Sequence, residues 1–501
     1  MRKLLGLQQA TSSRPATVAQ SGLQTALSLA ASVGLSAVVG LVIARNYGRG
    51  AETDGFFAAY GVFIVLVLAA HAFRVVALPA LARAHGEQRL AAETLAWALA
   101  LAVLALPSVA IALLASSHVA AALTGSLPPA AQETAADALV WMVPAATAQL
   151  YAALAASALA ALDDYATAAL GFALGSVAGL ALILVLVAAG AGIVAVAWGM
   201  ALNGAVSLLV PVGRLVSRRG VQSARARPPD VPARLAAFGR GVTIPIALQA
   251  LYLVCLRLAA ELGVGSVTSF TYAYLIASAF VAVTASSLAL VSSVPLARVG
   301  LDGDRAARHV VNTSWLALAV VAGAAGFFAL VGGRVVSGVL GAGYGGEIGD
   351  ELGGLVVYLA PWMVASVGVS VTFPLLFVAD RARRLPLLAA GAVGAHVGVA
   401  WVARELLSLR GIAFGLAFTT GVILAGLLLL LSRETLRAAA RGLAGAALWS
   451  AALAATAFVP LALALPASLA AVVGLAVYGV LLFVVRPRGL RDAWAYVRTL
   501  A

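Results

Sequence analysis

The stretch Ala44-Arg45-Asn46-Tyr47-Gly48-Arg49-Gly50-Ala51-Glu52-Thr53-Asp54-Gly55-Phe56-Phe57 decides the fold. It is a short polar interval, punctuated by glycine, between two apolar runs at roughly 22–44 and 55–80. Each run is long enough for a helix to cross the hydrocarbon core of a bilayer, which takes about 20 residues. The interval has a counterpart: Ala260-Glu261-Leu262-Gly263-Val264-Gly265, then Val267-Thr268-Ser269-Phe270-Thr271-Tyr272. A Gly-x-Gly pair closes the loop in both copies. A long apolar run follows each, leaving through a proline and an arginine: Pro79 to Arg83, and Pro295 to Arg298. An even number of spans separates the copies, so both halves face the same way, as a parallel repeat about an axis along the membrane normal.

The rest of the chain continues the pattern. Of its 501 residues, 63% are hydrophobic and 10% charged, and the mean hydropathy is +1.04. So little charge cannot cover a soluble surface. Further spans are predicted at roughly 93–115, 136–160, 166–189, 193–213, 242–262, 268–296, 311–331, 354–379, 385–403, 411–431, 442–465 and 467–485. The expected class is an all-α polytopic membrane protein of about fourteen transmembrane helices, in two six-helix lobes plus a C-terminal helix pair. The predicted boundaries are an N-terminal lobe over 1–213, a basic linker over 214–240 and a C-terminal lobe over 241–432, with the last pair and a tail over 433–501. The linker is too short for a domain core.

The net charge of +13 is distributed rather than clustered. Starting from Arg2, Lys3 and Arg14, alternate loops carry arginine, near 83–89, 214–227, 298–308, 381–384 and 433–441 and in the tail at 486–498. The opposite loops are poorer: 116–135 has no Lys or Arg, and 341–352 carries Glu347, Asp350 and Glu351. The turn Asp163-Asp164 runs against the trend, but acids count little in the positive-inside rule. Both termini are predicted to be cytoplasmic, in a multi-pass protein of the plasma (inner) membrane. The first apolar run exceeds a signal-peptide h-region and is followed by Arg45 and Asn46 rather than a small-residue cleavage site, so it reads as an uncleaved span. Nucleic-acid binding would need basic residues gathered on one folded face.

The single cysteine, Cys255, excludes an intramolecular disulfide. No Cys or His pair has metal-ligand spacing, and no hydrolase elbow, P-loop or zinc motif occurs. No cofactor and no enzymatic activity are expected. Without a nucleotide domain, transport would draw on an ion gradient, the membrane potential or the substrate's own gradient.

Charge inside a membrane is costly and marks function by default. Arg257 and Glu261 stand at i,i+4 spacing in the seventh span; they read either as an anion site facing a central cavity or as a snorkelling pair near the outer interface. His71 and Arg74 share a face in the inner half of the second span, as a phosphate or proton site or as an interfacial pair. Arg45 and Asp54 flank the first outer loop, as a gate contact or a solvated loop pair. His396 reads as a packed helix residue, and Gln149, Gln249 and Asn203 as interhelical hydrogen bonders. Phe270, Tyr272, Tyr274 and Phe280 read as packing or interface anchors. Pro107, Pro144, Pro245, Pro361 and Pro374 are candidate kinks.

The quoted stretch resembles the MviN/MurJ lipid II flippase family of the multidrug/oligosaccharidyl-lipid/polysaccharide exporter superfamily, whose pattern after its first helix is close to A-R-x-[FY]-G-x-G-x-x-T-D-A-F-F. Span count and layout are similar too. The resemblance implies alternating access. Two lobes would take a lipid-linked, pyrophosphate-bearing sugar from the inner leaflet and release it outside, with the lipid tail in a groove formed by the last two helices. Arginine suits pyrophosphate because it stays charged and binds oxygens bidentately. Lipid II flippases carry arginines in the first helix and the first half of the second, whereas 31–44 and 57–70 here hold no charge. The family's Tyr-Ala-Asp-Arg-Leu-like stretch in its eighth helix stands here as Tyr272-Ala273-Tyr274-Leu275-Ile276. Only Arg45 and Asp54 match the family's motif residue for residue; the candidate substrate-binding residues are Arg257, Arg74 and His71, standing in from other turns, with Arg45, Asp54 and Glu261 as gate and loop candidates. The implied partners are a lipid-linked oligosaccharide or other amphiphile, membrane lipids and a coupling ion. A cation-coupled drug or metabolite exporter of the same superfamily would instead prefer acids deep in a lobe. A membrane glycosyltransferase would need carboxylates in a large outer loop. A non-transporting scaffold is the remaining alternative.

Overall fold

The computed structural model describes residues 34, 37–218, 230–282, 284, 302–379, 381–485 and 487–500. Among these every regular element is a helix. In chain order they are α1 (Ala37–Tyr47), α2 (Ala51–Gly86), α3 (Leu90–Leu114), α4 (Ser116–Thr124), α5 (Pro129–Ala160), α6 (Tyr165–Ala188), α7 (Val194–Ser217), α8 (Val231–Ala260) and α9 (Ser266–Val281). They continue as α10 (Gly303–Leu340), α11 (Glu347–Tyr358), α12 (Ala360–Val378), α13 (Leu385–Leu431), α14 (Arg433–Ala464), α15 (Ala467–Val485) and α16 (Arg488–Leu500). Eleven helices among the described residues are long and apolar enough to cross a membrane, and α1 and α9 are shorter apolar helices. The protein is thus an all-α, multi-pass membrane protein.

Two adjacent predicted spans, 385–403 and 411–431, are joined in α13. The backbone breaks at Ser408, with φ 54° and ψ −133°. Beyond it the chain has reversed: Gly411 packs on Ala403, Gly415 on Ala400 and Gly426 on Leu388, while His396 meets Thr419. α13 is therefore an antiparallel hairpin.

The predicted linker is shorter than 214–240. α8 begins at Val231, with Asp230 as its N-cap (Oδ1 accepting the Ala233 N–H at 3.1 Å) and proline in its first turn. The segment 219–229, and Arg2, Lys3, Arg14, Arg298 and Arg486, lie outside the described residues, as do most of the first predicted span and the Pro295–Arg298 exit. Four helices that start at the arginine-rich end have side-chain N-caps: Asp164 for α6, Asp230 for α8, Asp302 for α10 and Ser432 for α14. Asp164 interrupts the arginine pattern because a helix start needs an acceptor for its open N–H groups.

Small residues set the helix contacts, as expected where lipid removes the hydrophobic drive between helices. Gly171, Gly175 and Gly179 of α6 lie against Pro211, Ser207 and Asn203 of the antiparallel α7. Gly55 of α2 lies on the Ala131 backbone of α5, and Gly204 of α7 on Ala145 of α5. α2 also runs antiparallel to α8: Gly61 meets Leu253 and Leu256, and Val76 meets Gly241.

Candidate functional site

The quoted stretch stitches the two halves of the sequence together at one end of the bundle, here called the motif end. Asp54, in the first turn of α2, is fully buried. Its carboxylate accepts the Thr268 N–H at 2.8 Å, the Thr268 hydroxyl at 2.6 Å and the Gly265 N–H. Gly265 precedes α9 and Thr268 lies in its first turn, so an acid from one half caps a helix of the other. Open N–H groups and the positive end of the helix dipole make that position suited to an anion.

The neighbours of Asp54 follow the same pattern. Arg49 Nε donates to the Gly265 carbonyl at 2.9 Å, and its guanidinium lies 3.7 Å from Glu351. Gly265 has φ 89°, and a Cβ there would overlap the Arg49 side chain, so no other residue fits. Its counterpart Gly50 is extended, at φ −156°, so the Gly-x-Gly likeness between the copies holds at Gly48 and Gly263 but not at the second glycine. The Tyr344 hydroxyl donates to the Gly48 carbonyl at 3.0 Å, the Tyr272 hydroxyl to the Gly40 carbonyl at 3.0 Å, and Arg45 Nε to the Val339 carbonyl at 3.2 Å. Arg45 and Asp54 therefore each bond to the other half and not to one another.

Arg257 and Glu261 pair at 2.7 Å, as their spacing predicts. They sit at the motif end of α8, 39% and 33% exposed. Glu261 also binds Arg404, beside the α13 turn, and the Arg257 guanidinium lies against Gly125 in the α4–α5 connection. The pair thus joins α8 to the α13 turn and the α4–α5 connection at the motif end.

Arg74 is placed differently. It lies on one stripe of α2 with positions 60, 63, 67 and 71, where the Tyr60 and Phe63 rings stack at 5.8 Å. Its guanidinium lies 6.0 Å from the centroid of Phe172 on α6, about two turns from the start of that helix. No ion-pair partner for Arg74 occurs among the described residues. The side chain of His71 lies outside the described residues.

Three features were not legible as sites in the sequence. Glu93 of α3 accepts from Arg234 of α8 at 2.8 Å, with the Arg234 guanidinium 5.7 Å from the Trp97 ring; this joins the halves near the arginine-rich end. Between the two seams, Tyr252 of α8 stacks on Tyr274 of α9 at 4.1 Å and hydrogen-bonds Thr271 at 3.1 Å, while Gln249 donates to the Tyr274 hydroxyl at 3.3 Å. An apolar cavity of about 1240 Å³ lies among α9, α10, α15 and α16, lined by Phe280, Phe327, Tyr478, Phe483 and Trp494, with Arg491 at its α16 side. His396 is packed and bonded, to Thr419 at 2.9 Å and the Leu251 carbonyl at 3.2 Å.

No family model matches the chain, and no curated protein matches it. Solved structures do. The lipid II flippase MurJ in an inward closed conformation superposes with a TM-score of 0.71 at 12% identity, over 92% of this chain and 99% of that one. An inward-facing multidrug resistance MATE family transporter of the MOP superfamily gives 0.61 at 17% identity, over 83% and 94%. A MOP superfamily transporter from Pyrococcus furiosus gives 0.56 at 16% identity, over 86% and 95%. The chain thus has the fold shared by these membrane transporters.

Proposed function

We propose that the protein is a flippase that carries a lipid-linked sugar from the inner to the outer leaflet by alternating access, with 1–213 and 241–432 as its two moving lobes. In this reading the motif end faces outward. Asp54, Arg45, Arg49 and the Arg257–Glu261 pair form the outer gate, and Glu93–Arg234 an inner contact. The lipid tail occupies the cavity between α10, α15 and α16, and Arg74 meets the phosphate.

Arg74 carries the reading. A guanidinium within the bundle, without a carboxylate partner among the described residues, against an aromatic ring and near the arginine-rich end, is placed to take an anionic head group arriving from the inner leaflet. A cation-coupled exporter is less well supported, because the buried acids among the described residues, Asp54 and Glu93, are both engaged across the seam. The test is transfer of a fluorescent polyprenyl-pyrophosphate disaccharide across proteoliposomes. Wild type should move it. Arg74→Ala should slow it by roughly tenfold or more, the loss of one charge-assisted contact, and Arg74→Lys should retain part of the rate. Equal rates for wild type and Arg74→Ala would remove Arg74 from the site, and no movement by wild type would end the proposal.

A further inference from the structure

Among the described residues several buried polar side chains have an atom with no hydrogen-bond partner, and Gln249 is the one amide among them. It lies on the α8 stripe of positions 238, 241, 245, 249, 252 and 256. That stripe faces α2, as the contacts of Gly241 with Val76 and of Leu256 with Gly61 show. It stands eleven residues below Ala260, about 16 Å along the helix, hence near the middle of a hydrocarbon core of about 30 Å. The side chain is 6% exposed. One end of its amide donates to Tyr274, and Oε1 has no partner. A buried amide held in place by a tyrosine and unsatisfied at its other end is costly, and such a group points to a ligand.

The surroundings define the ligand. Positions 241–256 of α8 and all of α9 contain no charged residue, so nothing here suits a phosphate. Beside the amide stand the stacked Tyr252 and Tyr274 rings, with Trp362 at 4.8 Å from Tyr274. Aromatic surface with one convergent amide suits a neutral group that has an apolar face and hydroxyl or amide edges. We propose that Gln249, oriented by Tyr274, is a recognition point for the uncharged sugar of the carried lipid. This rests on the flippase reading and assigns the sugar to a different place from the phosphate at Arg74. In the conformation seen Gln249 is buried, on the stripe of α8 that faces α2; the proposal has parting of the α2–α8 seam uncover it.

The test uses the full chain in nanodiscs and two probes: a polyprenyl pyrophosphate, and the same lipid bearing an N-acetylated disaccharide. Affinity and thermal stability are measured for wild type, Gln249→Met and Tyr274→Phe. Wild type should prefer the sugar-bearing lipid by about tenfold, the worth of one or two neutral hydrogen bonds. Gln249→Met should lose that preference and keep its affinity for the sugar-free lipid. Its melting temperature should be unchanged or higher, because an apolar isostere removes the unsatisfied amide. Tyr274→Phe, which frees the amide to rotate, should lose part of the preference. A purely structural Gln249 would give the reverse: lower stability with the preference intact. Equal wild-type affinity for both probes would overturn the sugar site and leave a lipid carrier standing. Binding of neither probe would overturn the carrier reading and the sugar site with it.

Discussion

Asp54 shows how one residue of a short loop can tie the two halves of the chain together. It bonds three groups at the start of α9, more than two hundred positions away. Hydrogen bonds to a charged group contribute about 1.5–3 kcal/mol, and orphaning buried donors adds to the loss. Asp54→Ala should therefore free the first turn of α9. In hydrogen exchange, the amides of Gly265 and Thr268 should exchange at least tenfold faster, with Asp54→Asn intermediate; unchanged exchange would refute the capping role. The sequence marked Asp54 but could not name its partner, since distance along the chain hides it. The Arg257–Glu261 pair was legible because helical spacing predicts it locally. Glu93–Arg234 was not, because each residue alone reads as an ordinary helix-end charge.

Asp164 gives a pH-dependent prediction outside the membrane spans. Burial pushes its carboxyl up, but the hydrogen bonds from Thr167 and Arg214 and the charge of Arg218 outweigh this and hold it below the usual carboxylate range. The contacts are 3.1 Å to the Thr167 N–H, 3.3 Å to Arg214 and 2.6 Å to Arg218. A group whose folded value is depressed stabilises above its unfolded value, near pH 4, and loses that contribution as pH falls through the folded value. The melting temperature of wild type should drop more steeply below pH 4 than that of Asp164→Asn. Parallel curves would show that the arginine contacts contribute nothing.

At the scale of elements, the glycine seam of α6 and α7 is a contact sensitive to added volume. A side chain at Gly175 would overlap the Asn203 carbonyl and the Ser207 hydroxyl, whereas one at Gly213 meets nothing. Overpacking of this kind costs about 1–3 kcal/mol or more. Gly175→Leu should lower the melting temperature in detergent by several degrees, and Gly213→Leu should leave it nearly unchanged. Similar behaviour of the two would contradict the close approach. Apolar length made most of the spans legible. The early start of α8 was signalled by Asp230 and Pro232, a cap followed by a first-turn proline, but the surrounding arginines made the segment read as linker. α4 and α16 are too short to register as spans. Among its described side chains α16 buries Ala493, and Tyr496 joins it to His309 near the start of α10, 2.8 Å apart.

At the scale of the whole molecule, the two halves of the chain meet in two separate seams. The motif-end contacts link α1 and α2 to α9 and α10, and Glu93–Arg234 links α3 to α8. The all-α, many-span architecture was readable from hydropathy alone. The packing between halves was not, because a membrane interior gives both lipid-facing and partner-facing residues the same apolar character. Alternating access requires the motif-end seam to open in every cycle. The direct test joins Arg45→Cys to Val339→Cys with a short reducible thiol crosslinker in a Cys255→Ala background, across the contact that Arg45 makes with the Val339 carbonyl. Proteoliposome transfer of the lipid-linked disaccharide should stop when the link is closed and return on reduction. Transfer at the same rate with the link intact would contradict alternating access through this gate.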